Sequence, residues 1–462
     1  MFTDGYDEAF TAPGEPRPHY AELIAALDAT DLWALRETVN RRVAEAGVVF
    51  RTERQTNAFL IDPVPRLIDA DEWATLAAGL TQRVRALNAF VIDAYAARRI
   101  VAAGRMPADV IDSAEGYERD LRGVLPPGPP VGIAGLDIVR TREGELQVLE
   151  DNLRTPSGYT YVSAAREALT HALPAGVPAR EPVRRPLLEQ IGRVLRDAAP
   201  PGVDEPLVVV LSDGPGGSAW FEHSRVAERL GVPVVTLDEV ERHGDCLFLR
   251  DEGNRLRQVD VVYRRNDEDR LRDEDGRLTA VAEAVLEPWT RGRLAVVNAF
   301  GTGVGDDKLV HAYVEEMIRF YLDEEPLLTS VPTLHLGRDE DRDTVLSALE
   351  RFVVKPRHGH GGGGVVVCAH ADEGDLRRLR EEIAASPDEF IAQPTVALSH
   401  HPTVVPGGRL EPRHVDLRPY VFASSGAVEV VPGGLTRVAW DPGALVVNSS
   451  QNGGAKDTWV LR

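Results

Sequence analysis

Hydrophobic and polar positions change rhythm several times along the 462-residue chain. From Thr81 to Ile100, Val84, Leu87, Val91 and Tyr95 fall on one helical face, with Arg83, Arg85 and Asp93 elsewhere. This predicts a helix within a mainly helical N-terminal region, residues 1–125. Leu125-Pro-Pro-Gly-Pro-Pro130 breaks the pattern. Two strand-like runs follow, Gly132 to Arg140 and Glu145 to Glu150. Thr141-Arg-Glu-Gly144 joins them as a hairpin turn with glycine at its end.

Prolines punctuate 174–186 and 200–206, on either side of an expected helix from Leu187 to Asp197. The apolar runs Leu207–Leu211, Val232–Leu237 and Val259–Tyr263 then alternate with a helix at His223–Leu230, which predicts a small parallel α/β unit over 201–298. After Asn298 come a glycine loop, an amphipathic helix at Leu309–Tyr321 and an acidic stretch, Asp339–Asp343, read as a solvated loop. A strand holding Lys355, a second glycine loop, a helix near Asp375–Ala385 and a set of strands complete the chain.

The net charge of −21 argues against nucleic acid or an anionic membrane surface as partner, because either would be repelled. Two cysteines allow neither a disulfide framework nor a cysteine zinc cluster. The N-terminus lacks the apolar segment of a signal peptide, and no apolar run approaches the roughly 20 residues that span a bilayer, so a cytoplasmic location is expected. Of the 52 basic residues only Lys308, Lys355 and Lys456 are lysines, and all three sit beside glycines. Lysine is a compact point charge that reaches one phosphate oxygen in a crowded pocket, where arginine is a broad fork, so all three are read as phosphate ligands.

Four constellations carry candidate chemistry. Asp137 and Glu150-Asp-Asn152 lie on the hairpin. If its turn centres on Arg142 and Glu143, Asp137 lies opposite Val148 with Glu150 as its diagonal neighbour. Two carboxylates and an amide carbonyl suit Mg²⁺ holding phosphate, while a solvated acidic pair is an equal reading until Arg154, a planar phosphate donor nearby, is counted. Second, Phe352-Val-Val-Lys355-Pro-Arg-His-Gly-His-Gly361-Gly362-Gly363-Gly364 delivers a lysine by a strand and follows it with a loop able to wrap polyphosphate. Third, Gly301 to Lys308 reads either as a second phosphate lysine or as a helix N-terminal loop. Fourth, Arg413-His-Val-Asp416-Leu-Arg418 sets Asp416 and Arg418 on one strand face, either against a nucleotide or as a structural ion pair. Histidines 358, 360, 400, 401 and 414 show no zinc spacing and are read as polar loop residues.

With these stretches, and with Tyr263-Arg-Arg, Ile391-Ala-Gln393-Pro-Thr and Asn448-Ser-Ser-Gln-Asn-Gly-Gly-Ala-Lys456-Asp, the chain resembles the circularly permuted ATP-grasp family, type 2, including glutathionylspermidine synthetase-like enzymes. The order fits, because the metal site at 150 precedes the lysine at 355. The resemblance implies an α+β and α/β multidomain fold. Its parts would be the helical region 1–125, a metal-binding half at 126–200, the small α/β domain at 201–298 and a nucleotide-binding half at 299–462. ATP would lie between two subdomains, with Lys308 and Lys355 on phosphates and Gly361 to Gly364 folded over them. The strand around Gln393 would hold adenine, and Asp137, Glu150 and Asn152 would ligate Mg²⁺. Arg154, Arg413 and Arg418 would act on the transferring phosphoryl group. Glutathionylspermidine synthetases carry an arginine two residues before the metal aspartate; here Gly135 stands there, and Arg140 or Arg154 is the candidate replacement.

The implied activity is ATP-dependent ligation of a small-molecule or peptide carboxylate to an amine. The alternatives are a phosphotransferase and a silent nucleotide-binding partner protein. On strand alternation, Asp151→Asn is expected to be far milder than Glu150→Gln.

Overall fold

Asp69 starts the long helix α1 (Ala70–Ala94) by accepting the Glu72 amide at 2.8 Å, and Asp71 and Glu72 sit where the helix dipole favours negative charge. The predicted apolar face is present, and the helix extends eleven residues further back than Thr81. It ends at Tyr95, and Arg98, with φ of 53°, separates it from Ile100. This computed structural model describes residues 5–51, 56–173, 177–217, 219–268, 270–359, 363–445 and 453–462.

Leu76, Leu80, Val84, Leu87 and Val91 of α1 are buried in one core with Leu136, Ile138 and Val148 of a hairpin, β1 (Ile133–Arg140) and β2 (Leu146–Asn152). The predicted two-residue turn is instead a three-residue loop. Thr141 N donates to Glu145 O and Gly144 takes φ of 92°, the left-handed position such loops reserve for glycine. Helix α2 (Tyr159–Thr170) follows.

A parallel sheet comes next, formed by β3 (Val208–Leu211), β4 (Val234–Val235), β5 (Val261–Arg264) and β6 (Ala295–Val297), with helix α3 (Trp220–Leu230) between β3 and β4. The order β6-β5-β3-β4 is that of a small α/β unit wound in both directions from β3.

A second, antiparallel sheet of order β7-β10-β8-β9 contains β7 (Leu334–His335), β8 (Phe352–Pro356), β9 (Val366–Val367) and β10 (Phe390–Pro394). It has its own core, including Leu336, Val345, Val354, Leu379 and Ile383. Helix α4 (Asp339–Ser347), after β7, is where the sequence suggested a loop. Asp339, Glu340 and Asp341 occupy its first turn, so the charges stabilise the helix's own N-terminus.

The final strands, β11 (Arg409–Arg418), β12 (Leu435–Ala439) and β13 (Gly453–Val460), join the hairpin in the order β2-β1-β11-β12-β13. One large sheet therefore draws on both the 126–200 and the 299–462 segments, while the lysine sheet stands apart. His400 and His401 lie in a strand paired to the one holding His414, not in loops. No helix among the described residues is long and apolar enough to cross a membrane.

Glu8 ties the N-terminal segment to this sheet. Its Oε1 accepts from Arg66 at 2.6 Å, Arg140 at 3.1 Å and Ser399 at 2.6 Å. Burial alone would raise its carboxyl; Arg140 and Arg66 outweigh that and hold it at about 2. A folded value below the unfolded one makes this contribution complete above about pH 4.5 and lost as pH falls toward 2. Urea unfolding of Glu8→Gln should show a loss of about 3 kcal/mol at neutral pH and a flatter decline below pH 4.5.

Candidate functional site

The hairpin register sets which side chains share a face. Gly135 pairs with Asn152, Leu136 with Asp151 and Asp137 with Glu150, but Ile138 pairs with Val148. Leu149 is the extra residue of a β-bulge, so Asp137 lies directly across from Glu150 and not diagonal to it. Asp137, Glu150 and Asn152 thus share one face, and Asp151 lies on the other with Leu136.

Neighbouring strands crowd this face with positive charge. Both Asp137 oxygens accept from Arg418, at 2.6 and 2.8 Å, and Arg437 adds a third bond at 2.7 Å. Burial works against ionising Asp137, but Arg418 and then Arg437 hold it at about 2. Arg437 also grips Asp416 across β11 and β12, so Asp416 and Arg418 each pair with a different strand. The Arg418 stem lies over Gly135, where an added Cβ would come within 3.3 Å of Cδ and within 3.0 Å of Pro156.

The two remaining candidate metal ligands are less committed. Glu150 is about one-third exposed, and its nearest cation is Lys308 at 3.8 Å. Asn152 has a buried amide nitrogen with no partner among the described residues. Oxygen donors of this kind fit a Mg²⁺ that also takes phosphate oxygens and water, although Asp137 has most of its lone pairs in use. Among the described residues no group of three or more His, Cys, Asp or Glu side chains is arranged to hold a metal. The amide of Asn152 is what would complete the set.

Lys308 donates to the Gly359 carbonyl at 2.7 Å. Lys355, on β8, makes no hydrogen bond or ion pair among the described residues. Burial pulls its ammonium below the usual lysine value; Glu150 opposes this and Lys308 reinforces it. Asp307 and Arg357 bring the two lysines together. The Arg357 guanidinium, two residues after Lys355, holds Asp307, one residue before Lys308, at 2.9 and 3.0 Å. Gln393 pairs with Val353 beside the Lys355 strand position, and its Oε1 is buried without a partner.

Several sequence expectations fall elsewhere. Lys456 is fully buried, ion-paired with Asp62 and donating to the Pro402 carbonyl at 3.1 Å; its ammonium is depressed to about 8 by burial against the pull of Asp62. It locks the sheet internally and does not meet the other lysines. Arg413, five residues and roughly 17 Å along β11 from Arg418, donates to the Trp440 carbonyl and to Glu411, away from Asp137. Arg140 is held by Glu8 and Glu72, so it does not replace the arginine missing at Gly135. Gly361 and Gly362 lie outside the described residues; Gly363 and Gly364 are exposed in the turn before β9.

The 301–305 glycines serve close packing. A Cβ on Gly303 would lie 2.8 Å from Arg154 Cδ, and one on Gly305 would lie 2.5 Å from Leu153 Cδ1. Arg154 itself pairs with Asp306 at 3.0 Å, and burial pushes the Asp306 carboxyl up to about 6 against that pull. Sequence reasoning missed Asp306, Asp307, Arg357 and Arg437. For Arg357 a signal existed, since it is a charged residue beside a strand that carries a candidate ligand.

Residues 65–439 match the family described as circularly permuted ATP-grasp type 2. An uncharacterized Synechocystis protein is 42% identical over 99% of this chain and 97% of its own length. A Frankia alni protein provisionally named glutamate–cysteine ligase 2-3 is 43% identical over 99% of this chain, which spans about half (54%) of that protein. Among solved structures, a glutathione synthetase-like effector from Globodera pallida, in its apo form, superposes with a TM-score of 0.59 over 94% of this chain and 98% of its own, at 13% identity. That likeness is one of fold.

Behind the candidate face, Asp151 is buried and accepts from Arg83 Nε and Nη2 at 2.7 Å each, with His311 Nδ1 also 2.7 Å away. The expectation that Asp151→Asn is mild is therefore replaced. The variant leaves a buried guanidinium uncompensated and should lose about 3–5 kcal/mol of stability in urea unfolding. Glu150→Gln, on the partly exposed face, should unfold close to the unmodified protein.

Proposed function

Because the chain belongs to the circularly permuted ATP-grasp type 2 family, we propose that it is an ATP-dependent carboxylate–amine ligase working through an acyl phosphate. The observation that carries this reading is Lys355, a part-buried ammonium with no partner among the described residues, held beside Lys308, Glu150 and Asp137. An unpaired cation in that setting suits a phosphate. In this reading Lys308 and Lys355 hold the polyphosphate of ATP, the Gly363–Gly364 turn covers it, and Gln393 Oε1 accepts from the adenine amino group. Glu150, Asn152 and the remaining lone pair of Asp137 would hold Mg²⁺, which supplies charge neutralisation for the phosphates.

The reaction would run in two displacements. A carboxylate oxygen of the substrate bonds to the γ-phosphorus as the bond to the ADP oxygen breaks. The amine then attacks the acyl carbon, loses a proton, and phosphate leaves. In this reading Arg418 and Arg154 would offer planar donors to the transferred group's charge, and the protein would contribute mainly positioning and electrostatic stabilisation. Amide formation is also the chemistry in the name of the Frankia alni relative, although this chain matches only part of that protein. Cytoplasmic action on small-molecule or peptide substrates is part of the same proposal.

Incubation with ATP, Mg²⁺, pools of candidate acids and hydroxylamine should yield ADP and a hydroxamate in equal amounts. A stable phosphorylated product with no hydroxamate would favour a phosphotransferase, and neither product would remove the proposal.

Lys355→Arg should keep the fold and lose roughly a hundredfold in turnover, since a broad fork misplaces the charge. Glu150→Gln should lose activity that is partly restored by raising Mg²⁺, which should not rescue Lys355→Arg.

A further inference from the structure

The segment after Asn152, residues 153–158, is held at most of its backbone groups, chiefly from the small α/β unit. Asn298, just past β6, donates to the Leu153 and Arg154 carbonyls at 2.6 and 3.2 Å. Asp306 accepts the Leu153 amide at 2.6 Å. Arg265, just past β5, donates to the Pro156 carbonyl at 2.7 Å, and Glu222, in the first turn of α3, accepts the Gly158 amide at 2.8 Å. Tyr420 closes the set with a 3.0 Å bond to the Ser157 carbonyl. Gly158 has φ of 115°, and a Cβ there would meet the Tyr420 hydroxyl at 2.4 Å, so the grip also fixes its residue type.

Arg265 and Glu222 face each other at 3.5 Å with side chains 3% and 1% exposed. The two charges thus face each other at ion-pair distance, and each also binds the backbone of the same short segment, at Pro156 and at Gly158. Residues 212, 265 and 298 each follow a strand of the parallel sheet, so this is the sheet's carboxyl edge, the edge at which open α/β sheets usually take their ligands. Here it holds a piece of its own chain, whose first residues follow Asn152 and include Arg154.

We propose that Arg265 and Glu222 are positioning residues that, through the 153–158 segment, set Asn152 for the phosphate-bound cation and Arg154 for the phosphate; this rests on the ligase reading above. Partners behind metal ligands tune affinity without touching the ion. A merely structural pair would change melting and leave ion binding alone.

The test uses the full chain with Mn²⁺ and ADP as probes, and two variants, Glu222→Gln and Arg265→Lys, that keep side-chain size or charge. Mn²⁺ affinity is read by electron paramagnetic resonance with ADP present, ADP affinity without metal by calorimetry, and backbone exchange over 150–160 by mass spectrometry. Glu222→Gln should weaken Mn²⁺ binding about tenfold and speed exchange across 153–158, while leaving metal-free ADP affinity unchanged. Arg265→Lys should fall between Glu222→Gln and the unmodified protein in both. Folded variants that bind Mn²⁺ and exchange like the unmodified protein would overturn the inference and leave the ligase reading standing. Failure of the unmodified protein to bind ADP at all would overturn that reading, and this inference with it.

Discussion

The arrangement of the candidate face depends on an ion pair behind it. Arg83, from the long helix, reaches the back of the hairpin and binds both oxygens of Asp151, with His311 on the same carboxylate. Two buried charges are costly to desolvate, and this pair offsets that cost only because its geometry is bidentate and Arg83 also finds Ser330 at 2.9 Å. The carboxyl is accordingly held well below the usual carboxylate range, with Arg83 outweighing burial. Since β2 alternates faces, fixing Asp151 against the helix fixes Glu150 and Asn152 toward the lysines.

A second constraint operates between sheets. Lys308 and Lys355 come from segments nearly fifty residues apart, and the lysine sheet packs on a core of its own. The Asp307–Arg357 pair, with Arg357 also bound to the Val110 carbonyl at 2.9 Å, sets the distance between them. Arginine therefore does the holding here, and Lys355 makes no hydrogen bond or ion pair among the described residues. That division of labour also explains Lys456, the exception: it is spent on Asp62 and so has nothing left to offer a ligand.

Much of the fold was legible because it rests on local periodicity. The small parallel unit, the hairpin and the helix from Glu373 to Ala385 follow from alternation and glycine or proline punctuation. That Glu150 and Asn152 share a face opposite Asp151 was legible for the same reason; that Asp137 joins them results from two irregularities that cancel, the longer loop and the bulge at Leu149. Illegible were the features decided by distant partners. Nothing near Lys456 announces Asp62, nothing near Arg413 announces the Trp440 carbonyl, and the 301–305 glycines look like a phosphate loop until the Arg154 segment is seen pressed against them. The acidic helix α4 was misread because its charges were counted without asking which end of a helix they occupied.

The bulge at Leu149 turns the hairpin into a device that counts. With Val148 held in the core opposite Ile138, the same residues paired without a bulge would put Leu149 opposite Asp137, carry Glu150 round to the helix side and present Asp151 at the front. The facing is set by one residue left out of the ladder. Deleting Leu149 would keep Glu150 opposite Asp137, whereas an added residue that moved Glu150 one place along would exchange the anchoring carboxylate for the working one.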